Sequence, residues 1–287
     1  MAVSYRYPLI FLHIPKAAGT TLKYVFAKNF GKHAIVRLYV DPSVREQVLK
    51  QRIAASPAPV KLIEGHFPFG IDQLLPEGER LSYLSFVRHP VSRLHSFYHY
   101  IRTTPEHYYH RTLVEQNLSF EQFLGDPESP EVFSQQTRLF AGCRTAPQEV
   151  SEHDLELARN NIRNRFLFVG LQEKFDESLV LLKLILGLNK INYVSLNRNV
   201  SKPRRPLSKE AEALIRQTNR YDLALYEFIE ELFAEQRQRY AGRFEEELEQ
   251  FRKQQSSFQQ RLLDYGYQKY HAVKLLTLSA GRRLQRS

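Results

Sequence analysis

Leu9-Ile10-Phe11-Leu12-His13-Ile14-Pro15-Lys16-Ala17-Ala18-Gly19-Thr20-Thr21-Leu22-Lys23-Tyr24-Val25-Phe26 passes from a compact apolar run, through a turn of small residues, into helical spacing. A short apolar run bounded by a turn reads as a buried strand, and Thr at the head of the periodic segment reads as a helix start. The unit is therefore strand, tight loop, helix. Val60 to Glu64 and Leu81 to Val87 repeat the short apolar strand, each ending at polar residues. These are expected to be parallel strands whose C-terminal ends gather the chemistry, as in an open α/β sheet.

Around this frame, Ser43 to Ala54 has helical spacing at Val44, Val48 and Leu49, and Val91 to Arg102 forms a helix directly after the third strand. Phe166 to Gly170 reads as a strand, and Lys174 to Leu186 as a nearly all-apolar, buried helix. The α/β pattern ends near residue 195. From Ser208 onward the chain reads as helical, with Leu214, Tyr221, Leu225, Phe228, Leu232 and Phe233 on one apolar face. The expected organisation is a catalytic-type domain over 1–235 and a helical C-terminal extension over 236–287. In that extension Leu248, Phe251, Phe258 and Leu262 suit a helical hairpin or a homo-oligomer seam, and a solvated helix packed on the domain is the simpler reading. The tail Lys274 to Arg286 is basic and amphipathic, matching either a membrane-surface helix or a frayed terminus.

A length of 287 residues supports a continuous core, and 43% hydrophobic with 25% charged residues excludes wholesale disorder. The formal charge of +10 favours anionic partners: nucleotides, acidic glycans, nucleic acid or membrane surface. Cys143 is the single cysteine, so no internal disulfide forms and a reduced, cytoplasmic setting is the expectation. The apolar run Pro8 to Ile14 lacks a basic n-region and a cleavage site, and no stretch approaches the ~20 apolar residues of a membrane span.

The turn Pro15-Lys16-Ala17-Ala18-Gly19-Thr20-Thr21 carries the first chemistry. Small residues let backbone N–H groups converge on a phosphate, the helix end adds partial positive charge, and Lys16 with the Thr20 and Thr21 hydroxyls completes an anion cradle. It is not a Walker A loop, because Lys16 precedes the glycine. A nucleotide-dependent kinase using this loop would want an acidic residue for Mg²⁺ at a neighbouring strand end, where Glu64 alone could serve. The third strand ends instead at Arg88, a cation suited to a second phosphate. Ser96 follows on the next helix, with Arg93 between them.

The pair PKAAGTTL (15–22) and RHPVSRLHSFY (88–98) resembles the 5′-phosphosulfate and 3′-phosphate motifs of sulfotransferases that use 3′-phosphoadenosine-5′-phosphosulfate (PAPS). The branch it looks most like is the Golgi carbohydrate type, similar to heparan sulfate 2-O-sulfotransferase. Segments 64–70 (EGHFPFG), 168–173 (FVGLQE), Asn197 and 199–202 (NVSK) agree, so the resemblance covers about residues 8 to 235. It implies a P-loop-like α/β sulfotransferase fold, with a central parallel sheet flanked by helices. The implied reaction is metal-independent, in-line transfer of a sulfuryl group from PAPS to a hydroxyl or amine of a glycan, lipid or small metabolite.

By position, Lys16, Ala17, Ala18, Gly19, Thr20 and Thr21 would hold the 5′-phosphosulfate, and Arg88 and Ser96 the 3′-phosphate. Lys16 would also neutralise the departing bridging oxygen. His66 matches the family's general base, a role that suits a pKa near operating pH. Lys202, Arg204 and Arg205 lie in a Pro-bounded loop that in this family closes over the nucleotide. Ser134 stands where the family usually carries Asn, which puts an acceptor role there in doubt. The ring-rich run Tyr98 to His110 suits an acceptor cleft and core packing equally. The rival readings, a kinase and a basic nucleic-acid or membrane-binding module, leave Arg88 and Ser96 together unexplained.

Overall fold

The structure is a computed structural model that describes residues 5–75, 81–142, 146–193 and 207–257. Five strands, β1 (Leu9–Leu12), β2 (Ile35–Leu38), β3 (Leu62–Gly65), β4 (Tyr83–Val87) and β5 (Phe166–Leu171), form one sheet in the order β2-β3-β1-β4-β5. Every pairing is parallel. Continuous apolar runs such as LIFL suit strands covered on both faces, and β1, β3 and β4 are buried at every residue. The α/β class and the parallel sheet expected from the sequence are present.

Leu12 is level with Gly65 on one side and Ser85 on the other, and Leu38 is level with Gly65. The residues just beyond, Tyr39, His66, His13 and Arg88, therefore emerge along one carboxyl edge. The chain leaves β1 toward β2 and β3, then crosses back to β4 on the opposite side. That reversal opens a crevice beyond the carboxyl ends of β1 and β4, the usual ligand position in open α/β sheets.

Helices α1 (Gly19–Phe30), α2 (Arg45–Ala54) and α3 (Pro90–Arg102) follow β1, β2 and β4. The sequence reading anticipates each of them. It carries no expectation for β2, nor for α4 (His110–Glu115), α5 (Phe120–Gly125), α6 (Gln135–Ala141) and α7 (Glu152–Arg165). The apolar helix after β5 is α8 (Phe175–Leu186), buried at Leu179 to Leu182. The last described third is helical: α9 (Lys209–Thr218), α10 (Arg220–Arg239) and α11 (Ala241–Ser256).

Residue 235 lies inside the continuous helix α10. Beyond it, Phe244, Leu248 and Phe251 of α11 join the same apolar cluster as the sheet and α8. The part of the extension that is described thus packs on the domain core, and Lys183 of α8 pairs with Glu247 of α11. A second cluster unites Leu94, Phe97 and Ile101 of α3 with α4, α5 and α9. No helix among the described residues is long and apolar enough to cross a membrane.

Candidate active site

The turn between β1 and α1 is wound unusually. Lys16 has φ 68° and Ala18 φ 61°, the latter at the N-cap of α1. Each non-glycine residue in the left-handed region costs on the order of 1 kcal/mol or more, a strain that concentrates at functional sites. Alternating hand is the backbone pattern that turns successive peptide N–H groups toward one concavity, and while the Thr21 N–H donates to the Ala18 carbonyl at 3.1 Å, Gly19 and Thr20 stand ahead of the first intrahelical bonds. The expected start at Thr is thus a start at Gly19. A Cβ at Gly19 would lie 1.6 Å from His13 Nε2, so only glycine lets the histidine sit against the loop. Ala17 is buried in the core, whereas Thr20 is exposed and Thr21 half-buried.

Lys16 and Arg88 meet at the crevice. The Arg88 guanidinium donates from Nη1 to the Lys16 carbonyl at 3.3 Å. Burial, together with the nearby Arg88 charge, pushes Lys16 down to about 8. A cation crowded by another cation and lowered by burial is a place where a bound anion gains most. The Lys16 Nζ also lies 4.1 Å over the Tyr100 ring of α3. Ser96 sits one turn before Tyr100, on the same face of that helix. Loop, strand end and α3 face are therefore neighbours, as the sequence reading requires.

The strand end that carries Arg88 is clamped by residues the motifs did not reveal. The Gln136 amide, from α6, accepts from Arg88 N–H at 3.1 Å and donates to Arg88 C=O at 2.9 Å. Gln136 is held in turn by Asp222 of α10. That carboxylate accepts from the backbone N–H of Gln136 at 3.1 Å and of Thr137 at 2.7 Å, and from the Thr137 hydroxyl at 2.8 Å. On the other side, Glu173 accepts from the His89 N–H at 3.0 Å and from the Tyr226 hydroxyl at 3.0 Å. Arg93 is fully buried, bonding Gln135 Oε1 at 2.7 Å and the Glu131 carbonyl at 2.8 Å, so it braces the fold.

His66 stands at the end of β3. Its Nδ1 lies 2.7 Å from the His13 carbonyl, and because a carbonyl only accepts, Nδ1 carries the proton. The neutral ring then keeps its lone pair on Nε2, the tautomer a general base needs. His66 stays exposed on its outer side, while its inner side packs at 4.4 Å from the His13 ring and 4.8 Å from that of Tyr39. Burial of that side lowers its pKa, the His13 bond opposes, and the Lys23 charge adds to the lowering. Tyr39 completes the cluster: its hydroxyl lies 2.9 Å from His13 Nδ1, and Lys23 Nζ sits 3.8 Å over its ring.

Glu64, the residue a Mg²⁺-dependent kinase would need, is fully buried, and its carboxylate accepts from Arg37 Nε at 2.9 Å. The Ser134 hydroxyl donates to the Thr218 carbonyl at 3.2 Å, holding α6 to α9. Lys202, Arg204 and Arg205 lie outside the described residues. A cavity of about 890 Å³ opens elsewhere, among α7, β5, α8, α10 and α11, and none of the candidate residues lines it. Convergent charge, strained backbone and a poised histidine make the crevice the better site than that hollow.

The model of the family described as galactose-3-O-sulfotransferase matches residues 3–279. Galactose-3-O-sulfotransferase 3 of Mus musculus is 26% identical over 245 residues, covering 78% of this chain and 55% of that protein. The chain thus spans about half the length of that relative. An uncharacterized protein of Archaeoglobus fulgidus is 27% identical over 184 residues, covering 61% of this chain and 71% of its own length. Among solved structures, mouse sulfotransferase SULT7A1 complexed with PAP aligns with a TM-score of 0.38 at 19% identity, covering 74% of this chain and 65% of that one.

Proposed function

The chain belongs to the galactose-3-O-sulfotransferase family, and from that premise we propose that it transfers a sulfuryl group from PAPS to a hydroxyl of a galactose-containing glycan. The family bears out the resemblance to carbohydrate sulfotransferases, and the branch matched is the galactose-3-O one. The observation that carries the proposal is the convergence, along one sheet edge, of a base-competent His66, a half-buried Lys16 in a strained anion loop, and a clamped Arg88.

In this reading the loop amides, Gly19 and the Thr20 and Thr21 hydroxyls hold the 5′-phosphosulfate, while Arg88 and Ser96 hold the 3′-phosphate. The fit rests on the Lys16–Arg88 pair, whose mutual repulsion an anion would relieve. PAPS supplies a sulfuryl group on a phosphate leaving group. His66 Nε2 takes the acceptor's hydroxyl proton as the new S–O bond forms. Lys16 stabilises the charge that builds on the bridging oxygen as the old S–O bond breaks.

The test uses the full chain with adenosine 3′,5′-bisphosphate (PAP) and radiolabelled PAPS. Calorimetry is expected to show PAP binding, and label is expected on the 3-hydroxyl of a terminal β-galactoside. Binding of PAP without label on any galactoside would restrict the proposal to the donor. Absence of PAP binding would overturn it.

A further inference from the structure

We propose that Tyr100, His107 and Tyr108 form a stacking platform for the acceptor glycan, with the sugar to be modified on Tyr100 and the preceding sugar toward Tyr108. This rests on the sulfotransferase reading above and adds to it the acceptor's place. The ring-rich run divides cleanly in the structure. Tyr98 and Tyr109 are buried, their hydroxyls donating to the Leu118 carbonyl and to Asp126, so they serve packing. Tyr100 and Tyr108 instead remain 39% and 60% exposed.

These exposed rings belong to one patch. His107 meets Tyr100 edge-on with centroids 5.9 Å apart and stacks on Tyr108 at 4.7 Å. Buried Phe97 supports both from beneath, 6.5 Å from Tyr100 and 5.4 Å from His107. The Tyr108 hydroxyl donates to Glu131 Oε2 at 2.6 Å, which fixes the outer ring. At the inner end Lys16 Nζ lies over Tyr100 and covers that face, so the sugar takes the ring as the ammonium turns from it to the bound donor, and the patch abuts the lysine on which transfer depends.

A neutral sugar offers a protein two handles, its hydroxyls and its C–H faces. The C–H bonds carry slight positive charge and stack on the negative face of an aromatic ring. Galactopyranose suits this well, because its axial 4-hydroxyl leaves the hydrogens of C3, C4 and C5 together on one side. A ring lying on Tyr100 brings its own hydroxyls beside Lys16, and a second pyranose continues over His107 and Tyr108. The competing occupant is the adenine of the donor, which would also stack.

Saturation-transfer NMR on the PAP-loaded full chain, with methyl β-galactoside and methyl β-lactoside as probes, separates these cases without requiring turnover. In the parent, saturation is expected to be strongest at the galactose H3, H4 and H5. Tyr100→Ala is expected to weaken both probes by roughly tenfold, and Tyr100→Phe to bind as the parent does. Tyr108→Ala is expected to weaken the lactoside alone. PAP affinity by calorimetry stays within about twofold throughout, against the far larger losses that removal of a direct charged contact brings. Unchanged galactoside binding in Tyr100→Ala overturns the platform. So does a matching loss of PAP affinity, which would give the ring to the donor, and so does absence of saturation in the parent. Platform-dependent binding with no sulfuryl transfer would refute the reaction and leave the platform standing.

Discussion

His66 and Lys16 are set by their neighbours to opposite protonation tasks. His66 must be neutral to accept a proton, and its pKa is lowered, so the acid limb of kcat/KM should lie below the ordinary histidine value. Lys16 must be charged, and in the uncomplexed chain it is held at about 8, so kcat/KM should fall as pH rises past that value. A bound anion raises a cation's pKa, so the alkaline limb of kcat should lie higher than that of kcat/KM. Lys16→Arg, which cannot lose its proton in this range, should abolish that limb. An alkaline limb that persists in the arginine variant would sink the assignment. His66→Ala should lower kcat by about 10²- to 10⁴-fold with PAP affinity nearly unchanged by calorimetry. Arg88→Ala should weaken PAP by about one to two orders of magnitude and barely touch adenosine 5′-monophosphate. Equal losses for the two ligands would move the guanidinium away from the 3′-phosphate.

Between elements, the decisive contact is the double hydrogen bond from Gln136 of α6 to the backbone of Arg88 after β4. Gln136→Leu removes both bonds without touching any ligand. It should narrow the preference for PAP over the monophosphate, and the loss should be read by calorimetry alongside an unchanged far-UV spectrum. Asp222→Ala strips the acceptor from the buried amides that begin α6. Unfolding free energy should drop by about 3 kcal/mol or more in urea titration. This clamp was illegible in the sequence because Gln136 and Asp222 lie 48 and 86 residues from their partners. Strands β1 and β5 were legible as apolar runs, and β3 and β4 as short apolar runs broken only by Glu64 and Ser85. In contrast, β2 is only IVRL, with Arg37 inside it, and passes for ordinary coil. Helix α7 announces itself only through the capping box of Ser151 and Asp154, since its body is largely polar. The loop and Arg88 were readable from residue type. The pairing of His66 with the His13 carbonyl and Tyr39 was not, because it depends on which strands become neighbours.

For the molecule as a whole, the burial of Phe244, Leu248 and Phe251 makes α11 part of the same cooperative unit as the sheet. Phe244→Ala should reduce stability by about 3–5 kcal/mol, in a single thermal transition that also carries the loss of PAP binding. Two transitions, with PAP binding surviving the first, would show that the last helices fold apart. The clamp on Arg88 also has a consequence in time. The anion loop is made about 200 residues ahead of the carboxylate that secures Gln136, which sits at position 222 on a helix that follows much later. Parallel strands joined by crossovers close slowly, and a ribosome adds roughly 5–20 residues each second. A nascent chain is therefore expected to display the loop for roughly 10 to 40 seconds at that elongation rate, before it can tell one adenine nucleotide from another.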